Sequence, residues 1–501
     1  MWLFWLCLTL PVLLRAAEGP SQDYLPIPSG VRQLFLDDFL LGDVNGVERR
    51  VHQPRKYERN PVVNPDRPWE KQGAKTKSGR DTASIQIRSA PCWDANERVW
   101  KMWYFGEDHR VLFARSTDGV TWEKPVLNRF DSQGSKANNI IGVEGDPGAM
   151  VQHVVLDPEA PAERRYKGFI GPHGRQPVIS SDGYTFRRLP VKPIPSQDES
   201  HLNYDELGKQ WIATVKLRGP FGRSVYMSLS KDFEQWTEPE LIFHADALDQ
   251  ENGAQRIQQL LRSPNYYHPF VNHPSEHNVE IYNMPVFPYE GLYIGLPNFL
   301  ESSGRTPPPH NNQDGTNSVK LAVSRDLRHW TKVGKREYFI PISEHRAGIL
   351  DSVQILAASR PIRMGDELWF YYSGLDGRYR PDDSYHGAIH LAKLRRDGFV
   401  SFHAGPQGGF VETRPIRFTG SRLMVNADAA QGEVRAEIVD ERGRNVLAGW
   451  EVKQSQPVKG NQLAAALSWS GHAGLAALRG KTVRLRFHLR NSDLYSFWFA
   501  P

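Results

Sequence analysis

Cysteine is nearly missing from this chain, with two in 501 residues. Cys7 falls in an apolar N-terminal run that reads as a leader, so Cys92 has no internal partner and a disulfide framework is excluded. Cys92 ends an apolar stretch, Ala90-Pro91-Cys92-Trp93, and reads as a buried, inert thiol. No Cys-x-x-Cys pair, glycine-rich phosphate loop or Gly-x-Ser-x-Gly elbow occurs, which argues against redox, nucleotide and serine-hydrolase chemistry. No block of Lys or Arg stands out either. The 62 basic and 57 acidic residues are spread evenly, so nucleic acid is not expected as a partner. Beyond Met1–Leu14 there is no long apolar run, and that one is too short for a bilayer but suits a signal-peptide core. The reading is a signal peptide over 1–19, cleaved between Ala16 and Ser21. The mature protein is then expected to be soluble, secreted or periplasmic, and without a membrane partner.

What the chain does have is a short pattern that returns. Ser116-Thr117-Asp118-Gly119-Val120-Thr121-Trp122 is echoed at Ser180–Phe186, Ser230–Trp236 and Ser324–Trp330, with a degenerate fifth copy at Arg395–Phe402. Each copy follows an alternating apolar run such as Val111–Ala114 or Val225–Leu229. The physical reading is a hairpin corner. Asp bonds the backbone two residues on, Gly supplies positive φ, and the aromatic pins the next strand against the sheet. The corner aspartates are therefore structural. One corner per unit is the mark of a radial β-repeat.

The units begin at Arg80-Asp81, Asp146, Asp198-Glu199, Glu280 and Asp351, each with three strands and room for a fourth. Over residues 30–404 they predict a five-bladed β-propeller. Ahead of them, Leu34–Leu41 reads as a leading strand. The proline-rich stretch from Pro54 to Trp69-Glu70 reads as a long ordered loop at the rim of a site. Ile257, Leu260 and Leu261 fall at helical spacing within Asp246–Arg262, while Glu301–Asn317 reads as an irregular insertion. Both are placed to overhang the axial mouth. From 405 to 501 the corner no longer recurs, and short alternating strands predict a C-terminal β-sandwich. The chain reads as all-β.

In a propeller the first strand of every blade lines the channel, so side chains at the leading ends converge although far apart in sequence. Here those ends carry Asp81, Asp146, Asp198-Glu199, Glu280 and Asp351. Any one of them also fits a turn closer; their recurrence at one register is the signal. Convergent acids raise one member's pKa by like-charge repulsion and leave others ionised. That is the pairing of proton donor and carboxylate that glycosidic cleavage uses. His268, His273 and His277 share a loop, but their spacing is too irregular to read as a metal site.

Five blades with this corner, acids at the blade starts and a terminal sandwich resemble the five-bladed glycoside hydrolases of family 32 (fructosidases) and family 43 (arabinofuranosidases and xylosidases). The resemblance implies a base or nucleophile Asp on blade one, which Asp81 matches. It implies a pKa-tuning Asp, at Asp146 or Asp198, and a Glu acid, at Glu199 or Glu280. The fructosidase W-x-N-D-P-N-G motif is replaced by Arg80-Asp81-Thr82, and neither an R-D-P nor an E-C motif is present. What is implied is a separate related group rather than a fructosidase.

The expectation is an exported glycoside hydrolase acting on a plant or algal oligosaccharide. Asp81 would serve as base or nucleophile and Glu280 as general acid, with Asp198 and Asp351 orienting. Arg80, Asp146, Glu199, Trp69 and Glu70 would contact the sugar. No cofactor is expected. One rival is a non-catalytic carbohydrate-binding propeller, whose axial acids bond hydroxyls or hold Ca²⁺. Another is a glycoside phosphorylase, which needs a cationic phosphate subsite to which Arg80 offers one charge.

Overall fold

The computed structural model describes residues 24–71, 83–106, 110–146, 148–171, 173–308, 312–378, 386–472 and 474–501. The expected leader over 1–19 lies outside them, as do Arg80 and Asp81. Among the described residues no helix is long and apolar enough to cross a membrane.

An antiparallel sheet occupies each of the sequence units. In the first, Val99–Gly106 pairs on one side with Ala83–Gln86 and Cys92–Asp94, and on the other with Val111–Ser116. In the second, Val151–Leu156, Tyr166–Ile170, Gln176–Ser180 and Thr185–Arg188 follow one another across the sheet. Ser200–Asp205, Gln210–Gly219, Gly222–Ser230 and Glu240–Phe243 do the same in the third. The fourth is split into two strips, one built on Asn278–Asn283 and one on Val286–Tyr289. In the fifth, Gln354–Ala357 pairs with Glu367–Leu375, which pairs with His386–Arg395. The outer strand of that last sheet is Arg55–Lys56, drawn from ahead of the first unit.

Apolar side chains fill the spaces between consecutive sheets, and this makes the arrangement a propeller. Trp103 and Phe113 of the first unit share a core with Val154 and Val178 of the second. Phe169 and Ile179 meet Leu202 and Trp211 of the third, and Ile212 and Val225 meet Ile281 and Phe299 of the fourth. Ile294 and Val319 then meet Ile355 and Phe370 of the fifth. Tyr371 and Ile389 of the fifth return to Ile85 and Met102 of the first. A separate core, with Phe487, Phe497 and Ile438 among its members, belongs to the C-terminal β-sandwich. Its longest strand, Arg422–Asp440, is bulged near Asn426 and between Ala429 and Val434, pairing with Ser492–Ala500 before the second bulge and with Val483–Arg490 after it.

The corners have the predicted chemistry. Asp118 Oδ1 accepts from the backbone N–H groups of Val120 (2.8 Å) and Thr121 (2.7 Å), and Ser116 Oγ accepts from Gly119 N (2.9 Å). Trp122 Nε1 closes the turn on Gly119 O at 3.2 Å. Gly119 has φ 74°, and the equivalent positions in the third and fourth copies, Phe233 and Leu327, hold φ 69° and 67° without being glycine. Both side chains are buried in inter-sheet cores, which offsets the backbone strain.

The degenerate fifth copy is different. Asp397 is not a corner acid but a buried pin between the fifth unit and the sandwich. It accepts from Arg32 Nη1 (2.6 Å), Ser496 Oγ (2.7 Å), Tyr289 OH (2.7 Å) and Asn426 Nδ2 (3.2 Å). The leading segment differs as well. Leu25–Ile27, Gln33–Leu34, Leu41–Asn45 and Glu48–Val51 pair with sandwich-sheet strands rather than opening the propeller. Glu301–Asn317, expected as irregular, contributes to a hairpin in which Asn298–Arg305 pairs with Gln313–Val319. Its strands bury Ser302, Ser303, Thr316 and Asn317, so no hydrophobic alternation marks them. The expected helix is present as Ala247–Arg262, capped by Asp246, whose side chain accepts from Asp249 N. It packs on the Asn278–Asn283 and Asn298–Arg305 strands.

Replacing Asp397 by Ala strands the buried Arg32 charge and removes the acceptor from three further donors. We expect Asp397→Ala to cost about 3–5 kcal/mol in urea-induced unfolding. Asp118→Ala, at an exposed corner, is expected to cost about 1 kcal/mol.

Candidate functional site

Strands at the centre of the ring alternate between a core face and a channel face. In Ile85-Gln86-Ile87-Arg88 the two isoleucines are fully buried among apolar neighbours. Gln86 and Arg88 turn the other way and bond each other, Arg88 Nη2 to Gln86 Oε1 at 3.0 Å. The same alternation sets Ile281 in a core and Tyr282 toward the channel. The result is a cavity of about 570 Å³ to which every unit contributes. Gln86 and Arg88 come from the first, Asp146, Gln152 and Arg188 from the second, and Asp198 and Glu199 from the third; the fourth adds Tyr282, and the fifth Gln354 and Arg378.

The floor is a buried ion pair. Arg88 Nε and Nη2 each donate to Glu199 at 2.7 Å, a two-pronged contact between the first and third units. Burial works to raise the Glu199 carboxyl, but the Arg88 guanidinium overrides it and holds the group at about 2. Glu199 is therefore ionised at any ordinary pH and cannot donate a proton. Below it, burial lowers His201 to about 3 and His153 well below its usual value, so both rings are neutral. Their rings lie 5.6 Å apart, and His153 Nε2 is 2.9 Å from Ser200 Oγ.

Two carboxylates at the cavity are reachable from solvent. The Asp198 side chain is 60% exposed and in ion-pair contact with Lys216, whose ammonium sits 4.0 Å from the centre of the Tyr282 ring. Asp146 is half exposed and paired with Arg188. Beside this cavity lies a smaller one of about 280 Å³, lined by Gln197, Arg218, Arg223, Glu280, Arg305, Asn312 and Gln313. The two share a wall, since Arg223 reaches over Tyr282 (5.9 Å to the ring) and Arg378 Nε donates to Gln313 O at 2.9 Å.

The acids expected at one register thus divide. Asp146, Asp198 and Glu199 line the main cavity. Glu280 lies in the neighbouring pocket, where it accepts from Arg223 and, at 3.1 Å, from Asn278 Nδ2. Gly222, at φ 98°, makes room for it, because a Cβ there would collide with the Glu280 carboxylate. Asp351 lines neither cavity. It is buried against Lys56 Nζ (2.7 Å) and Tyr372 OH (2.8 Å); burial works to raise it, and the Lys56 charge brings it below its ordinary value. Its partner comes from the Arg55–Lys56 closing strand, so Asp351 anchors the ring. Glu70 is likewise buried away from both cavities, between Tyr104 OH (2.7 Å) and Lys124 Nζ, while Trp69 Nε1 donates to Asn139 Oδ1 at 2.7 Å. These two lock the proline-rich segment to the first unit instead of facing a ligand. Cys92 is half-buried rather than buried, and desolvation of its thiol pushes it up to about 12, in keeping with an inert residue.

Sequence reasoning missed Arg88, Arg188, Lys216, Arg223, Tyr282 and Arg378. The signal for two of them was present: Gln86-x-Arg88 and Glu280-x-Tyr282 are polar positions alternating with isoleucine, the pattern of a strand with a core face and a channel face. Among the described residues no cluster of three or more His, Cys, Asp or Glu side chains could hold a metal ion.

The Glu199 carboxyl moves from an ordinary 4.5 in the unfolded chain to about 2 in the folded one. Its stabilising share is present above about pH 4.5 and is lost as pH falls toward 2. Glu199→Gln should lower stability at pH 7 by about 3 kcal/mol or more and flatten the unfolding free energy between those two pH values. A wild-type slope in the variant would refute the pairing.

No family model matches the chain, and no curated protein does. Solved structures of similar outline exist. One is a glycosyl hydrolase from Bacteroides ovatus, at 14% identity and TM-score 0.40, over 69% of this chain and 94% of that one. Another represents the GH130 family of mannoside phosphorylases, which contains glycoside hydrolases that target β-1,2 mannosidic linkages in Candida mannan. It aligns at 14% identity and TM-score 0.39, over 72% of this chain and 96% of its own. The exo-β-1,3-galactanase from Phanerochaete chrysosporium, solved with galactose, aligns at 10% identity and TM-score 0.33, over 85% of this chain and 99% of that one. All three are similar to the chain at 14% identity or below, and no substrate passes from them to it.

Proposed function

We propose that the protein is an exported glycoside hydrolase that cleaves a plant or algal oligosaccharide with a pair of carboxyl groups. The observation that carries this reading is the cavity to which every unit contributes side chains, with Asp146 and Asp198 reachable in it. A concave site of this size, polar at the floor and flanked by Phe105, Tyr282 and Leu375, suits a sugar's mixed faces.

Glycosidic cleavage needs one carboxyl that protonates the leaving oxygen and one carboxylate that attacks or activates water. Asp198 takes the second carboxyl role in place of Glu280, whose two oxygens are engaged by Arg223 and Asn278 one pocket away. Lys216 pairs with Asp198 and holds its side chain at the cavity. Asp81 keeps the base or nucleophile role, preceding the stretch that supplies Gln86 and Arg88. Glu199 holds Arg88 in place, and Asp146 with Arg188 offers hydrogen bonds to sugar hydroxyls.

The test is turnover of aryl glycosides and plant and algal oligosaccharides by the purified full chain, with and without phosphate. Sugar released without phosphate supports the hydrolase. A sugar phosphate formed only with phosphate would make it a phosphorylase, and glycan binding with no product would make it a binding propeller. On a turned-over substrate, Asp81→Asn and Asp198→Asn are each expected to lower kcat by about 100-fold or more, while Asp351→Asn lowers stability and leaves kcat near wild type. Full activity in Asp198→Asn would sink the assignment.

A further inference from the structure

The smaller pocket has a chemistry of its own. Three guanidiniums, Arg218, Arg223 and Arg305, face one carboxylate, Glu280, and no apolar side chain lines the space. Glu280 is engaged by Arg223. Arg218 and Arg305 are exposed, and neither side chain has a hydrogen-bond or ion-pair partner among the described residues. Among the described residues, two positive charges therefore border a polar concavity without an ion-pair partner of their own.

A second observation lies on the main-cavity side of the shared wall. Arg378 is 4% exposed, and among the described residues its hydrogen bonds go to neutral acceptors: Gln313 O, Asn317 Oδ1 and Gln354 Oε1, each at 2.9 Å. A buried cation without a carboxylate partner is costly unless an anion approaches it. Gln313 joins the two features, since its carbonyl holds Arg378 and its side-chain oxygen accepts from Arg223.

We propose that the smaller pocket is a subsite for an anionic substituent on the glycan, a sulfate ester or a uronate carboxylate, gripped by Arg218 and Arg305 next to the sugar bound in the main cavity. Arginine suits this task, because its planar fork donates two parallel hydrogen bonds to an oxyanion. The two substituents share that chemistry and differ in shape, so both are tested. The inference rests on the glycan-active reading for its ligand class, but it concerns recognition and is read out by binding rather than turnover.

Calorimetry of the full chain uses matched pairs: sulfated galactan oligosaccharides with their desulfated forms, and oligogalacturonides with their methyl esters. Inorganic phosphate alone is the third arm. Wild type should bind the charged member of one pair at least about tenfold tighter, with an advantage that shrinks as salt rises. Arg218→Ala/Arg305→Ala should abolish that advantage and leave the neutral member's affinity unchanged, while Arg218→Lys/Arg305→Lys restores part of it. Which pair discriminates identifies the substituent. Equal binding of charged and neutral members, no binding of any charged member, or an advantage that survives in the alanine variant would overturn the proposal. Binding of inorganic phosphate that supports release of a sugar phosphate would overturn it in favour of phosphorolysis. Charged-glycan preference without sugar release upholds the subsite and defeats the hydrolase; sugar release without preference does the reverse.

Discussion

The structure depends on apolar packing that runs from sheet to sheet and returns to its start. Each propeller sheet has two faces and buries both against neighbours, so no unit has a core of its own. Loss of one inter-sheet core exposes two sheets at once. The hydrophobic term is the large one here, and it is non-directional. Direction comes from elsewhere: the Ser–Asp corners fix where each strand turns, and buried ion pairs such as Lys56–Asp351 and Arg32–Asp397 fix which strands meet.

The site follows from that arrangement. Because one face of each inner strand belongs to a core, the positions between must point inward, and the polar side chains found there have no other place to go. Their charges would repel if they were all acids. They are not, since Arg88, Arg188 and Lys216 each meet a carboxylate across or along the channel. The cavity is a balanced ionic lining, with Glu199 committed to structure and Asp198 left accessible. The surplus of positive charge sits next door, among Arg218, Arg223 and Arg305.

Much of the fold could be read from sequence because its signals are local. The corner needs four residue types within seven positions, and the helix needs one turn of spacing and a capping Asp. The acids at Asp146 and Asp198-Glu199 could be found for the same reason, as they open strands. What could not be read was partnership. Nothing near Asp351 announces Lys56, which arrives from a strand made long before it, and nothing near Glu199 announces Arg88. Asp351 and Glu199 therefore looked alike in sequence, yet one lies behind the wall and the other forms the floor. The polar hairpin Asn298–Val319 escaped because its strands are buried without being apolar. The leading strands escaped because their partners are in the sandwich, at the opposite end of the chain.

Those leading strands constrain how the protein is made. A ribosome delivers Leu25–Ile27 and Arg55–Lys56 long before their partners, Ile416–Phe418 and Ala392–Lys393. Until then the opening segment has backbone donors and acceptors and no sheet to join. The finished molecule is clasped by these pairings, so the leading strands cannot be peeled away without breaking sheets that much later strands complete.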